Sequence, residues 1–375
     1  MGEIRPFTLD VPEDELVRLA DRLDQTRWPE EEPVDDWSQG TRLAALKELV
    51  AYWRIEYDWR RCEAKLNAIG QYLTEIDGLD IHFLHKRSSR ADALPLVITH
   101  GWPGSVVEFL GIVEELAEPS DPGVLAFHVV APSLPGYGFS QKPSSTGWGV
   151  ERIARAWGEL MRRLGYGEWV AQGGDWGAAV TTAIGQLAPD GCRGIHLNMP
   201  IGRPGPEDMA SKDPKVLKAL QALGFYQEWD SGYSKQQSTR PQTIGYALVD
   251  SPVGLAAWIL EKIHFWTDND GSPWDALSMD QMLDDIMLYW LPATGASAAR
   301  LYWESFARFG TGTVAIPAGA SAFPKEILPA PRAWVERTLT NLVYWNELDK
   351  GGHFAAWEQP ELFIGELRAC FARMA

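Results

Sequence analysis

The run from Trp169 to Val180 constrains the fold more than any other stretch. Trp169 to Gln172 is apolar enough for a buried strand, and Ala178 to Leu187 is compatible with a helix. Only Gly173, Gly174, Asp175, Trp176 and Gly177 lie between them. A chain that turns this sharply brings backbone against backbone, so Gly173 and Gly177 stand where a Cβ would find no room. This is the pattern of a nucleophile elbow, a turn that lifts one reactive side chain above a sheet. Its tip carries Asp175, where the commoner versions carry Ser. A carboxylate needs no base to ionise it, and it attacks saturated carbon to leave an ester that other groups must resolve.

The flanking chain supplies a sheet for such a turn. Leu73 to Ile76 and Ile81 to His85, joined by Asp77-Gly78, read as a β-hairpin. Leu94 to Thr99 and Phe127 to Ala131 are continuous apolar runs, as expected of strands covered on both faces. A helix is expected from Ser105 to Leu116, another from Val150 to Leu164, and a strand from Gly194 to Asn198. After residue 305 the rhythm resumes with a strand at Thr313 to Ile316, a loop at Pro317 to Phe323, a helix at Arg332 to Thr338, a strand at Leu342 to Glu347 and a last helix at Pro360 to Phe371. Strands alternating with helices predict an α/β fold with a doubly wound, mostly parallel sheet, whose ligands sit at the carboxyl ends of the strands.

Two parts stand outside this rhythm. Pro12 to Leu23, Thr41 to Tyr52 and Trp59 to Ile69 have helical spacing with no strand, giving an N-terminal helical segment over 1–72. Residues 201–305 are helical, rich in Trp and Tyr, and too long for a loop, which predicts an inserted lid. The core is thereby divided into 73–200 and 306–375.

Composition excludes several roles. The formal net charge is −17, with 34 Lys and Arg scattered among 51 acids, which argues against nucleic acid as partner. No apolar run reaches ~18 residues and the Met-Gly-Glu-Ile-Arg start lacks a signal layout, so no membrane partner is expected and the expected home is cytoplasmic. Cys62, Cys192 and Cys370 show no metal or disulfide spacing and read as small buried hydrophobes. Trp258, Trp266, Trp274, Trp290 and Trp303 are candidates for the lid or the pocket wall.

An aspartyl ester needs a base to activate water and donors for the oxyanion. His353 follows Gly351-Gly352 after the final strand, the late position that a base takes in this kind of fold. His82, His85, His128, His196 and His264 read as packed or solvated residues. For the carboxylate that orients His353, Glu326 is favoured over Glu347 and Asp349. A loop from the neighbouring strand reaches the base side-on, whereas the nearer acids would have to fold back. The oxyanion donors would be the amides of Trp176, after the nucleophile, and Trp102, in the loop from His100 to Gly104; His100 would order that loop.

Four motifs in this order, H-G-W-P-G (His100 to Gly104), G-G-D-W-G (Gly173 to Gly177), A-F-P-K-E (Ala322 to Glu326) and G-G-H-F-A-A-W-E-Q-P (Gly351 to Pro360), resemble the microsomal type of epoxide hydrolase. The likeness spans nearly the whole chain, including the lid stretch from Asp250 to Lys262. It implies an α/β-hydrolase core with a helical cap and a wrapping N-terminal segment. It also implies two lid tyrosines that bind the epoxide oxygen, which carry over to Tyr233 in W-D-S-G-Y and Tyr302 in R-L-Y-W-E. No metal or cofactor is implied, and a homodimer is the family-level expectation. No membrane anchor precedes Ile4, so the likeness is to the soluble members. The stretch between Tyr302 and Glu326 is shorter than in the animal enzymes.

The expected reaction is conversion of an epoxide, bulky and apolar or aromatic, to a vicinal diol through an ester at Asp175. The nearest rival is a haloalkane dehalogenase, which shares the Asp nucleophile and would hold halide on the indoles of Trp102 and Trp176. A non-catalytic ligand-binding relative would carry an impaired triad, and this triad is intact.

Overall fold

A computed structural model describes residues 2–308 and 310–374. Its strands are β1 (Ile4–Phe7), β2 (Gln71–Ile76), β3 (Leu79–Lys86), β4 (Leu94–Thr99), β5 (Phe127–Pro132), β6 (Trp169–Gly173), β7 (Cys192–Leu197), β8 (Ala318–Ala322) and β9 (Leu342–Glu347). They join in one sheet in the order β1-β2-β3-β5-β4-β6-β7-β8-β9. From β5 to β9 along this order every pairing is parallel, while β1, β2 and β3 are antiparallel additions. The chain leaves β4 for β5 on one side and then returns to its other side with β6. Such a reversal opens a crevice at the carboxyl ends of the strands. This is the α/β-hydrolase fold.

The apolar runs have the physical cause that their sequence implies. Leu96, Val97 and Ile98 of β4 and Val170 and Ala171 of β6 are fully buried, because helices cover both faces of the sheet. The hairpin turn places Asp77 at φ 53° and Gly78 at φ 78°, the pair of positive values that a two-residue turn matching strand twist requires.

Three expectations need correction. The N-terminal segment does contain a strand: β1 pairs with β2 from Ile4 opposite Thr74 to Phe7 opposite Gln71. It is short, half exposed and carries Pro6, which an edge position tolerates. The strand placed at Thr313 to Ile316 is instead β8, and Val314 makes only an isolated bridge to Leu339. The residues of β8 are Ala, Gly, Ala, Ser and Ala, and at Gly319 a Cβ would lie 2.2 Å from Cys370 Sγ on the covering helix. The single helix expected from Ser105 to Leu116 is broken into a 3-10 turn at Val106–Phe109 and a short helix at Val113–Ala117.

Between β7 and β8 the chain builds a helical cap, running from Pro214–Phe225 to Gly295–Ser305. Prolines at the first helical positions of Pro214–Phe225, Pro241–Asp250 and Pro252–Trp266 start helices where no amide hydrogen bond is lost. Ser278 and Gln281 close a capping box on Met279–Trp290. The N-terminal helices lie on this cap: Tyr52 and Tyr57 donate to Asp280 and Asp284 at 3.0 and 2.8 Å, and Thr41 donates to the Ala257 carbonyl at 2.8 Å. Among the described residues no single helix is long and apolar enough to cross a membrane. The pair Pro241–Asp250 and Pro252–Trp266 has that composition only together, and it is bent by 115°.

Candidate active site

Asp175 opens the helix Asp175–Leu187 directly after β6, with φ 51°, a left-handed value that the turn imposes on a residue bearing a side chain. The glycines make the turn possible. A Cβ at Gly177 would fall 1.9 Å from the Thr99 carbonyl oxygen, one at Gly173 2.1 Å from that of Gly177, and one at Gly101 2.3 Å from Cβ of Asp175. β4, β6 and the helix can therefore approach closely enough to hold Asp175 over the sheet edge.

The carboxylate is gripped from two sides. The Trp102 amide donates to Asp175 Oδ1 at 2.8 Å, and His353 Nε2 lies 3.3 Å from Oδ2. Behind the imidazole, His353 Nδ1 donates to Glu326 Oε1 at 2.8 Å, and the same oxygen accepts the Ile327 amide at 2.7 Å. Glu347 and Asp349, the rival acids, lie elsewhere: Glu347 pairs with Lys215 at 2.8 Å on the surface, and Asp349 is exposed. Trp176 is the second residue of the helix, so its amide belongs to the first turn, where N–H groups have no intrahelical acceptor.

Burial works against charge on His353, but the Glu326 carboxylate and the hydrogen bond and charge of Asp175 outweigh it and hold the imidazole well above its ordinary value. The imidazole thus stands between two carboxyl groups, Asp175 on its Nε2 side and Glu326 on its Nδ1 side. His100 behaves differently. It accepts the Leu134 amide on Nε2 at 3.1 Å, which leaves Nδ1 to donate to the Gly101 carbonyl at 2.9 Å. Burial pushes it down to about 4, so it is a neutral brace for the loop. The other histidines are engaged away from the carboxylate: His82 with Ser133 and Gln71, His85 with Tyr166, His128 with the Ser88 amide, His196 with Ser321, and His264 stacked on Trp37.

Above Asp175 opens a cavity of about 790 Å³, lined by Tyr233, Tyr302, Tyr226 and Trp176 with aliphatic side chains such as Leu223 and Ile327. Tyr233 and Tyr302 come from different cap helices and are both buried, their ring centroids 5.7 Å apart. Trp102 stacks on Tyr233 at 4.9 Å, and Trp176 meets Tyr302 edge-on at 4.7 Å. Burial, above all, raises both phenols well above the ordinary range and keeps them as O–H donors. The five lid tryptophans named above do not wall this cavity. Trp303 is half exposed on another groove, and Trp258 donates to Gln237 at 3.1 Å.

Several supports have no signal in the sequence beyond lying near a motif. Tyr226 places its hydroxyl 3.2 Å from that of Tyr233. The buried Lys262 pairs with Asp230 at 2.8 Å, and Asp230 also accepts Trp266 Nε1 at 2.7 Å. Glu358 accepts the amides of Asp268, Gly352 and Phe354 at 2.7, 3.0 and 2.9 Å, which fixes the loop that carries His353. Asp230 sits in W-D-S-G-Y and Glu358 in the last motif, so only proximity to those motifs marked them.

Comparison with known proteins gives this geometry a family. Residues 4–109 match the model of the epoxide hydrolase N terminus, and residues 95–360 match that of the alpha/beta hydrolase fold. The chain is 55% identical to a putative epoxide hydrolase of Stigmatella aurantiaca, over 99% of this chain and 85% of that one. It is 36% identical to epoxide hydrolase 1 of Sus scrofa, over 97% and 88%. The solved epoxide hydrolase of Aspergillus niger superposes with a TM-score of 0.91 at 35% identity, covering 100% of this chain and 97% of that one. An acid at the tip of the elbow, an intact imidazole–carboxylate pair beneath it and this set of relatives together place the chain in the epoxide hydrolase family of the α/β-hydrolase superfamily.

Proposed function

We propose that this hydrolase opens a bulky, apolar epoxide through a covalent ester on Asp175, with Tyr233 and Tyr302 as electrophiles, Glu326 and His353 as the base pair and the Trp102 and Trp176 amides as the oxyanion hole. The observation that carries this reading is the division of labour on one carboxylate: Oδ1 takes an amide while Oδ2 faces the base. The oxygen in the amide hole becomes the ester carbonyl, so Oδ2 attacks the oxirane carbon. The C–O bond breaks, and the alkoxide takes a proton from a tyrosine that was already hydrogen-bonded to it. Ester formation removes the charge of Asp175, and His353 gives up its proton, through solvent, to restore the tyrosine.

Water then loses a proton to His353 Nε2 and adds to Cγ of Asp175. The tetrahedral oxyanion is held by the amides until the Cγ–Oδ2 bond breaks and the departing alkoxide takes the proton back from His353. The product is a vicinal diol, and one oxygen from water remains on Asp175. The large cavity and its aliphatic lining support a bulky apolar substrate, an argument that no longer rests on the lid tryptophans. Halide chemistry, the rival, is not what the family comparisons support.

The deciding experiment is intact-protein mass spectrometry of His353→Gln with styrene oxide and a set of larger aryl and alkyl epoxides. A stable adduct that Asp175→Ala abolishes is expected. Absence of any adduct across the set would sink the two-step reading.

A further inference from the structure

A second, much smaller pocket lies beneath the site. It measures about 20 Å³ and is lined by Asp175 and His353 together with Glu108, Gln172 and Asn198. A polar cavity holds a single water once it offers roughly 10–15 Å³ and two or more polar partners, and this one meets both conditions. Its position matters because the ester step needs one water touching both His353 and Cγ of Asp175.

Glu108 has no part in the chemistry described so far, yet it is buried at the end of the 3-10 turn Val106–Phe109. That turn is fixed from below: Ser105 caps it and donates its hydroxyl to the buried Asp285 at 2.7 Å. Gly104 leaves room for the carboxyl, since a Cβ there would fall 1.6 Å from Glu108 Oε1. Among the described residues the influences on Glu108 are burial and the charges of Asp285, His353, Asp175 and Glu358, with no protein hydrogen bond. Burial, followed by the acidic neighbours, holds it well above the ordinary carboxylic range. Gln172 donates its amide to Asn198 at 2.7 Å, while its buried Oε1 has no partner among the described residues. The pocket thus offers two acceptors that lack a protein donor.

Building on the proposed ester mechanism, we infer that Glu108 is a positioning residue for the hydrolytic water, holding it in the small pocket between His353 Nε2 and Cγ of Asp175. Water gives one O–H to His353 and the other to the carbonyl oxygen of Glu108, which turns a lone pair toward the ester carbon. The proton removed in the step goes to His353, so Glu108 changes neither its protonation nor its bonds. Its contribution falls wholly in ester hydrolysis, because ester formation uses Oδ2 and the cavity on the other side.

The test separates the two half-reactions in single turnovers with styrene oxide or whichever epoxide of the set labels His353→Gln. Ester formation is followed by the fluorescence of Trp102 and Trp176, and ester decay by intact mass. Glu108→Leu removes the water's partner and Glu108→Asp withdraws it by one methylene. A displacement of about 1 Å at a reacting group costs on the order of 10²-fold. The expectation is therefore ester formation within about twofold of the parent and hydrolysis slowed by about 30- to 100-fold in Leu and about 10-fold in Asp, so that ester accumulates. Unchanged hydrolysis, or equal slowing of both steps as a structural lesion would give, overturns the inference. Should the Leu variant not fold, the Asp variant decides by the same criterion. A failure of the ester mechanism itself is distinct, since no adduct would then form in His353→Gln.

Discussion

The ammonium of Lys262 lies 4.8 Å from the ring centroid of Tyr233, on the same buried frame that Asp230 and Trp266 complete. A buried ion pair is a poor way to gain stability, but it is costly to break, because one partner is left charged without a counter-ion. Lys262→Met should lower unfolding free energy by about 3–5 kcal/mol in urea titrations. Adding Asp230→Asn should recover much of that loss, since the second charge is then also gone. A double variant no more stable than the single one would show that the frame is held by packing and not by the pair.

On the proposed mechanism, loss of the Tyr233 or Tyr302 hydroxyl should appear in the first half-reaction. Tyr233→Phe and Tyr302→Phe are each expected to slow ester formation by about 10²–10³-fold, the usual cost of one donor at a developing oxyanion. Tyr226→Phe leaves Tyr233 its hydroxyl but removes that group's partner, and should cost only about 2- to 10-fold. Rapid-mixing fluorescence gives these rates; an unaltered rate in Tyr233→Phe or Tyr302→Phe would remove that residue from the electrophile role.

His353 should titrate differently in the two states of the proposed mechanism. In the free enzyme, burial lowers His353 but Glu326 and Asp175 together raise it well above ordinary. Esterification cancels the Asp175 charge and with it part of the upward push. The pH-rate curve for ester hydrolysis should rise through an inflection below the pH at which His353 titrates in the free enzyme by NMR. Coincident values would mean that Asp175 has no electrostatic hold on the base.

Stability should fall as pH rises above about 6.5. Glu108 and Asp285 have folded values well above their unfolded ones, and Glu358 is raised to about 7. Each keeps a proton in the fold that the unfolded chain has released, so its contribution is lost as pH rises through the folded value. His353, also raised, acts in the same sense above about pH 6.5. Burial lowers His82 and His196 to about 3 and His100 to about 4, so these act the opposite way: they cost stability as pH falls below about 6.5. Above about pH 6.5 the histidine cost is gone and the raised groups act alone, Glu358 only up to about 7, at up to roughly 1.4 kcal/mol per pH unit for each group still protonated in the fold. Urea midpoints that rose across that range would contradict the assignment.

The sheet and the site differ in how far they could be read from the chain. β4, β5 and β6 announce themselves because a strand buried on two faces must be apolar throughout or nearly so. β8 carries no such signal, since its residues are small and their hydrophobicity is slight. β1 is half exposed at an edge and carries a proline, so neither alternation nor an apolar run marks it. Trp102, Asp175, His353 and Glu326 follow one another in a chain of polar contacts, and each was legible because backbone geometry ties it to a glycine or proline motif. Glu108, Lys262 and Asp230 were not. A charged residue within a helix or turn reads as a solvated face, and only the packing of distant segments makes it a buried one.

The amide of His353 hangs on the Trp266 carbonyl at 2.8 Å, that of Gly351 on Asp268 at 2.8 Å, and Glu358 bridges both segments. His353 is thus suspended from the cap as well as rooted in the sheet. Lifting the cap at this corner would break the suspension and draw the imidazole off the carboxylate. The Met199 to Pro204 segment, with Tyr226 and Gln227 of the π-helical turn Tyr226–Asp230, lines the cavity and takes no part in this suspension. The register of the imidazole on Asp175 is thus set jointly by the cap and by the sheet, so a disturbance of the Trp266 to Asp268 segment reaches Asp175 through a single imidazole.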